Sequence, residues 1–439
     1  MMPIIEPRIL KGFRDFLPSQ EIARRGLMET VEDVFRSFGF VPIDTPALEY
    51  AEILLGKGGG ETEKQIYRFR DNGDRDVALR FDLTVPFARF IALHQAEITL
   101  PFKRYHMAKV WRGENTQRGR YREFTQCDFD IVGSDSSGAD FEILLMMREA
   151  MKALGVEALI HLNHRGLFNR FLEHMGIRDK SVEILRSVDK LAKIGEEETR
   201  KQLEEIAGKE QAKAVLEYIH AGGAFEEILD TLTGLAGGPC PESERLSALC
   251  RFMIDTGTEA SFELDPSITR GLDYYTGIVY ETFLKDDPAI GSVCSGGRYD
   301  NLAGLYMKDR ISGVGSSIGL DRLMAALESL GKLEGLSSYA KLAVAGIREE
   351  DGGRCQALAG RFRAKGIACE VLPEPSGSAD PKRLTKQYIL AEKKGARWLL
   401  IPAEGSENFT LRDLNKRENR ENISFEEALK IVSNTSALP

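Results

Sequence analysis

The sequence predicts an α+β domain built on an antiparallel sheet with helices, interrupted by a helical insertion and followed by a smaller α/β domain. Three patterns carry this reading. The first third holds two β-favouring runs separated by a short polar, Gly-containing loop; the middle is rich in Lys, Glu and Leu at helical spacing; the last hundred residues alternate strand-like and helical stretches.

Taken in order, Glu21 to Phe38 repeats apolar residues at helical spacing (Ile22, Leu27, Val31, Val34, Phe35, Phe38), and Gly39 ends the helix. Phe40 to Leu48 is extended because Pro42 and Pro46 bar a helix, and Asp76 to Phe81 reads as a short strand. Phe102–Val110 and Glu123–Val132 form a long hairpin around Gly113 to Gly119. Asp140 to Leu154 is an amphipathic helix, Ile160 opens a strand, and Leu167 to Met175 is helical. Ser181 to Glu227 lacks strand signals and reads as a separate helical module, placed within an insertion at 180–254. Glu259 to Phe283 and Gly291 to Tyr299 return to β composition, and Gly319 to Leu330 is helical, so the first domain spans 1–330. After a linker at Leu330 to Ser338, a second domain at 340–439 alternates strand (Lys341–Ile347), helix (Cys355–Lys365), strand (Ala368–Leu372), helix (Arg383–Lys394) and strand (Trp398–Pro402).

Composition narrows the function. The chain has 439 residues, 42% hydrophobic and 29% charged, enough for a sizeable core in two or three domains. Its net charge of -9 argues against non-specific nucleic-acid binding, so any such contact is local. No run approaches the roughly 18 apolar residues of a membrane span, and Glu6 and Pro7 stand where a signal peptide would be apolar, so a cytoplasmic location with no membrane partner is expected. Six scattered cysteines suggest neither a disulfide framework nor a zinc site.

The chemistry-bearing segments share a vocabulary of arginine, glycine and single carboxylates. Lys103 to Arg122 holds seven basic residues against Glu114, which suits phosphate; Arg112 and Glu114, two apart, share a strand face. A solvated hairpin with cross-strand ion pairs explains the same charges. Gln126, Asp128 and Asp130 alternate along one strand face, suited to an amine-bearing ligand or to a plain exposed polar face. Asp82 and Thr84 could hold an ammonium together or cap the helix that begins at Val85. Arg270 to Gly277 (R-G-L-D-Y-Y-T-G) joins a cation, a carboxylate and two tyrosines to flanking glycines. Ser295 to Asn301 is a Gly-rich turn with Arg298 placed to meet an anion, and Gly313 to Arg322 supplies small residues and then a helix carrying Arg322. No P-loop, Rossmann or serine-hydrolase motif is present.

Together these segments resemble the class II histidyl-tRNA synthetases. Gly39 to Glu49 is similar to motif 1, Phe102 to Val132 to motif 2 and Gly313 to Arg322 to motif 3, while Arg270 to Gly277 and Ser295 to Asn301 resemble the two histidine-specific signatures, all in family order. Lys341 onward, including Lys382 to Ala396, resembles the anticodon-binding domain. The resemblance implies a class II catalytic domain that uses ATP with Mg2+ to make histidyl-adenylate, passes histidine to tRNA-His, and works as a homodimer. It implies that Asp82, Thr84 and Gln126 hold the α-ammonium, that Asp130 and Tyr275 read the imidazole, that Arg112 and Arg322 face ATP phosphates with Glu114 on the adenine amine, and that Arg270 is the catalytic cation. Arg118, Arg120 and Arg122 are candidates for the tRNA acceptor end, since Asn115 stands where many bacterial members carry an arginine; Lys382, Arg383 and Lys386 are candidates for anticodon phosphates. The main alternative is the regulatory paralogue of histidine biosynthesis, which binds histidine without aminoacylation.

Overall fold

The computed structural model describes residues 4–56, 61–268, 275–300, 304, 306–308, 310–333, 336–346, 351–373, 383–403 and 406–434. It divides into two compact units, one of residues 1–14 and 26–333, the other of residues 15–25 and 334–439.

In the first unit the strands are β1 (Val41–Pro42), β2 (Leu48–Tyr50), β3 (Arg68–Arg70), β4 (Asp76–Leu79), β5 (Phe102–Trp111), β6 (Glu123–Val132), β7 (Ala158–His164), β8 (Phe262–Leu264), β9 (Ile278–Leu284), β10 (Cys294–Tyr299) and β11 (Gly313–Gly319). Eight of them form one sheet in the order β1-β5-β6-β11-β10-β9-β7-β8; β2, β4 and β3 form a small sheet. Pairing is antiparallel from β5 to β7 and parallel only at the two edges, β1 with β5 and β7 with β8.

The pleat of the central strands decides what faces the site. Phe129 of β6 and Tyr105 of β5, paired in register, turn to the side covered by the helix Pro18–Ser37, where Phe35 packs at 4.8 Å and 5.6 Å from their rings. Alternate residues therefore turn the other way: Gln126, Asp128 and Asp130 on β6, with Ala108, His106 and Arg104 opposite them on β5 and Gly319, Ser317 and Gly315 opposite them on β11. A one-residue slip would bury the wrong set, so the apolar face also fixes the polar one.

The helices of residues 181–255 lie between β7 and β8 in the chain. Tyr218 of that stretch is buried against Phe171 and Phe168 of the helix Arg165–His174, with ring centroids 4.6 Å and 5.1 Å away. Among the described residues no helix is long and apolar enough to cross a membrane.

The second unit holds β12 (Leu342–Val344), β13 (Cys369–Val371), β14 (Trp398–Pro402), β15 (Phe409–Asp413) and β16 (Glu418–Ile423), ordered β13-β12-β14-β15-β16. The first three are parallel and enclose the helix Gly352–Arg363, which buries Cys355, Ala359 and Phe362; β15 and β16 add an antiparallel hairpin. That hairpin and the helix Phe425–Ser433 are additions to the sequence reading. β16 (E-N-R-E-N-I) is an exposed edge without alternation, so periodicity cannot reveal it. The last helix did carry a signal, the Ser424…Glu427 capping box.

Gly315 is where the central sheet tolerates no side chain: a Cβ there would lie 1.9 Å from Asp130 Oδ1 and 2.8 Å from the Phe129 carbonyl oxygen. Gly315→Ala is expected to destabilise the first unit by about 1–3 kcal/mol, read as a lower thermal unfolding midpoint.

Candidate active site

β5 ends at Trp111, so Arg112 and Glu114 do not share a strand face as their spacing suggested; the chain leaves the sheet there and brings both into a cleft. The cleft has a volume of about 230 Å³ and is also lined by Gln126, Ser317, Asp321 and Arg322. Arg112 Nε donates to the Phe81 carbonyl at 2.9 Å, with its guanidinium 5.2 Å from the Phe124 ring centroid. Arg322 donates to the Ser292 carbonyl at 2.5 Å. Gly119, at φ +69°, lets the loop between β5 and β6 close onto Arg322, since a Cβ there would sit 3.1 Å from the Arg322 Cα. Two guanidiniums thus converge on one cleft from segments 210 residues apart, an arrangement suited to a polyphosphate.

Sequence reasoning missed what holds this cleft. Arg14 pairs with Asp321 and stacks on Tyr121, its guanidinium 3.8 Å from the ring centroid. The Gly12 carbonyl accepts from the Arg122 backbone N–H at 2.8 Å, and Asp321 also accepts from the Thr125 N–H at 2.6 Å. An N-terminal strand of chain thereby ties the hairpin to the start of the helix Leu320–Ser329. No local signal marks a pair separated by 307 positions.

Beside the cleft the polar face of β6 is buried. Asp82 caps the helix Thr84–Leu93 by accepting from the Val85 N–H at 3.1 Å, while its other carboxyl oxygen has no partner among the described residues; burial raises its pKa to about 6. Gln126 Nε2 donates to Ser317 Oγ at 2.9 Å, leaving Oε1 without a partner among the described residues. Asp130 accepts from the Tyr299 hydroxyl at 2.6 Å, and its second oxygen lies 2.6 Å from Nη2 of Arg104, close in distance but not aligned as a hydrogen bond. Arg104 is fully buried with its guanidinium 3.9 Å from the Phe87 centroid. Burial pushes the Asp130 carboxyl up against the pull of Arg104, and pushes Asp128 up to about 7. Tyr275 packs in the apolar cluster of Phe87 and Tyr299, and Thr84 opens its helix.

The structure therefore gathers Arg112, Glu114, Gln126 and Arg322 around one cleft and sets Asp82 and Asp130 in the buried polar cluster beside it. Arg270 and Lys382 lie outside the described residues. Three cations of the hairpin follow the ion-pair reading rather than the phosphate one: Lys103 pairs with Glu142, Arg104 with Asp130, and Lys109 with Glu123 at 2.7 Å. Arg298 is corrected too, being buried in an ion pair with Asp140 at 2.6 Å rather than meeting an external anion. Of the other loop arginines, Arg118 reaches Asp287 at 2.8 Å, Arg120 lies 3.6 Å from Glu114, and Arg122 donates to the Glu114 carbonyl at 3.3 Å. In the second unit Arg383 opens a helix on which Lys386 is exposed.

An antiparallel hairpin delivering one arginine, and a strand-to-helix turn delivering another, form the catalytic architecture of the class II aminoacyl-tRNA synthetases. The family model described as histidyl-tRNA synthetase matches residues 12–323. A histidine–tRNA ligase of Treponema denticola is 56% identical over 408 residues, covering 91% of this chain and 90% of that protein. One from Rhodopirellula baltica is 49% identical and covers 89% of each chain. The crystal structure of histidyl-tRNA synthetase from Nostoc sp. PCC 7120 superposes with a TM-score of 0.84 at 32% identity, over 98% of this chain and 100% of that one. The chain belongs to the histidyl-tRNA synthetase family.

Because burial raises the folded Asp128 carboxyl above its ordinary value of 3.8, the folded state keeps a proton that the unfolded chain has lost. The stability linked to this group is full at low pH and declines as pH rises from about 4 through 7. Asp128→Asn is expected to raise the thermal midpoint at pH 8, the gain shrinking to nothing near pH 4; unfolding scans across that range check it.

Proposed function

We propose that the protein is a histidine–tRNA ligase that activates histidine with ATP and then charges tRNA-His. What carries the reading is the pairing of a family match over 12–323 with a cleft where Arg112 and Arg322 meet beside Gln126. In the first step the histidine carboxylate attacks the α-phosphorus of ATP and pyrophosphate leaves; in the second the ribose hydroxyl of the tRNA end attacks the carbonyl and AMP leaves. Arg112 and Arg322 offset phosphate charge, Glu114 accepts from the adenine amine, and Arg270 faces the charge that develops on the α-phosphate. Asp82, Thr84 and Gln126 hold the α-ammonium. Asp130 and Tyr275 read the ring, Asp130 being held in place by Arg104 and Tyr299.

Magnesium would accompany the nucleotide. The acids lining the cleft among the described residues are Glu114 and Asp321; with Asp321 committed to Arg14 and the Thr125 N–H and Glu114 assigned to the adenine amine, the ion would be held through the phosphate oxygens and water and would offset their charge. Arg118, Arg120 and Arg122 are proposed for the acceptor end and Lys382, Arg383 and Lys386 for the anticodon stem-loop. We read the chain as a cytoplasmic homodimer: Val41, Leu48 and Tyr50, apolar and exposed on the edge strands β1 and β2, suit a self-association surface. The regulatory reading has less support. The relatives at 45–56% identity over nearly the whole chain carry the ligase name, while a Bacillus halodurans protein described as an ATP phosphoribosyltransferase regulatory subunit/histidyl-tRNA synthetase shares the fold at 21% identity, with a TM-score of 0.72 over 88% of this chain and 97% of that one.

ATP–pyrophosphate exchange with each amino acid supplied singly tests the activation step. Exchange with histidine alone is expected, and Arg112→Ala should lower its rate by about 10²–10³-fold. A folded protein that binds histidine but exchanges with no amino acid would move the assignment to the regulatory class.

A further inference from the structure

Among the described residues, three acceptor oxygens in and beside the cleft are buried without a hydrogen-bond partner: Asp82 Oδ2, Gln126 Oε1 and Asp128 Oδ1, on residues 2%, 9% and 2% exposed. Orphan acceptors are costly, and three together in one place point to a ligand that donates. Family resemblance accounts for Asp82 and Gln126. Asp128 has no assigned role, yet it stands two residues from Gln126 on the same face of β6 and directly opposite Ser317 of β11.

Ser317 connects the two. Its Oγ accepts from Gln126 Nε2 at 2.9 Å, and it stands directly opposite Asp128 in register, where its hydroxyl proton can turn to that carboxyl. A hydroxyl that donates to a carboxylate has its lone pairs left to accept, so the Gln126 amide must turn its NH2 to Ser317 and its carbonyl away. Strand positions two apart are about 6.8 Å apart, within reach of one nitrogen once the longer Gln126 side chain leans over.

The charges agree. Asp128 is faced by Asp82 from the turn after β4, by Asp130 on its own strand, by Arg104 and His106 from β5 and by Cys294 from β10, with Arg80 further out. His106 is pushed down to about 4 and Cys294 up to about 12 by burial, so near neutrality the cluster holds three carboxyl groups against Arg104, with Arg80 at a distance.

Resting on the histidine-activation reading, we propose that Asp128 is an additional amino-acid-binding residue, which through Ser317 sets the Gln126 carbonyl and itself accepts an N–H of the ligand's α-ammonium. Binding of a cationic amine then drives the Asp128 proton off.

Calorimetry on the full chain tests this with three probes: histidine; histidinol, which keeps the ammonium and lacks the carboxylate; and imidazole-4-propionate, which lacks the ammonium. Asp128→Asn is expected to weaken histidine and histidinol by about tenfold or more and leave imidazole-4-propionate within about twofold. At pH 7, titrations in buffers of different ionisation enthalpy should show about half a proton more released by the unmodified protein than by Asp128→Asn. Ser317→Ala should weaken the two amines in the same way, and in exchange assays both variants should raise the KM for histidine with that for ATP unchanged. Unchanged amine affinity and proton release, or equal weakening of all three probes, would overturn the proposal. Absence of exchange in the unmodified protein would instead overturn the activation reading, because the calorimetric comparison needs no turnover.

Discussion

The pairing of Arg104 with Asp130 at the centre of the sheet is the constraint around which the rest of the site is arranged. Both groups are buried, and a buried pair contributes little net stability by itself because desolvation offsets the attraction. What it imposes is placement. Arg104 is fixed from below by Phe87, Asp130 from the side by Tyr299, and Gly315 must lack a side chain for the carboxylate to fit. Strands β5, β6, β10 and β11 and the helix Thr84–Leu93 are therefore locked in one relation by a single charged contact, since displacing any of them leaves an uncompensated buried ion.

From that fixed centre the site divides by dielectric. Toward the interior burial raises the carboxyl groups of Asp82 and Asp128, to about 6 and about 7. Toward the cleft Arg112, Arg120 and Arg322 make a positive environment for a polyanion. Gln126 lies at the junction, lining the cleft while its strand neighbours face inward.

Much of this was legible in residue patterns. The hairpin read at Phe102–Val110 and Glu123–Val132, the helix that stops before Gly39 and the β–α alternation of the second unit follow from periodicity, and the helical module read from Ser181 follows from its lack of strand signals. The one-sided alternation of Gln126, Asp128 and Asp130 was readable as well. Arg104 was not: it was one cation among seven, suited to phosphate or to a cross-strand ion pair alike, and only its register opposite Asp130 makes it a buried counter-ion. Arg298, likewise, reads as an anion-binding residue in a Gly-rich turn until Asp140, far away in sequence, is seen beside it.

The sequence by itself determined the family and the order of its elements, because these depend on local spacing and short-range backbone preference. Tertiary structure alone decided which charges neutralise one another, which carboxyl groups are raised, and that Arg14 at the N-terminus ties Tyr121 and Asp321 together at the cleft. The physical reason is that ionisation and pairing depend on burial and on neighbours brought together across hundreds of residues, and neither is a property of any window of sequence.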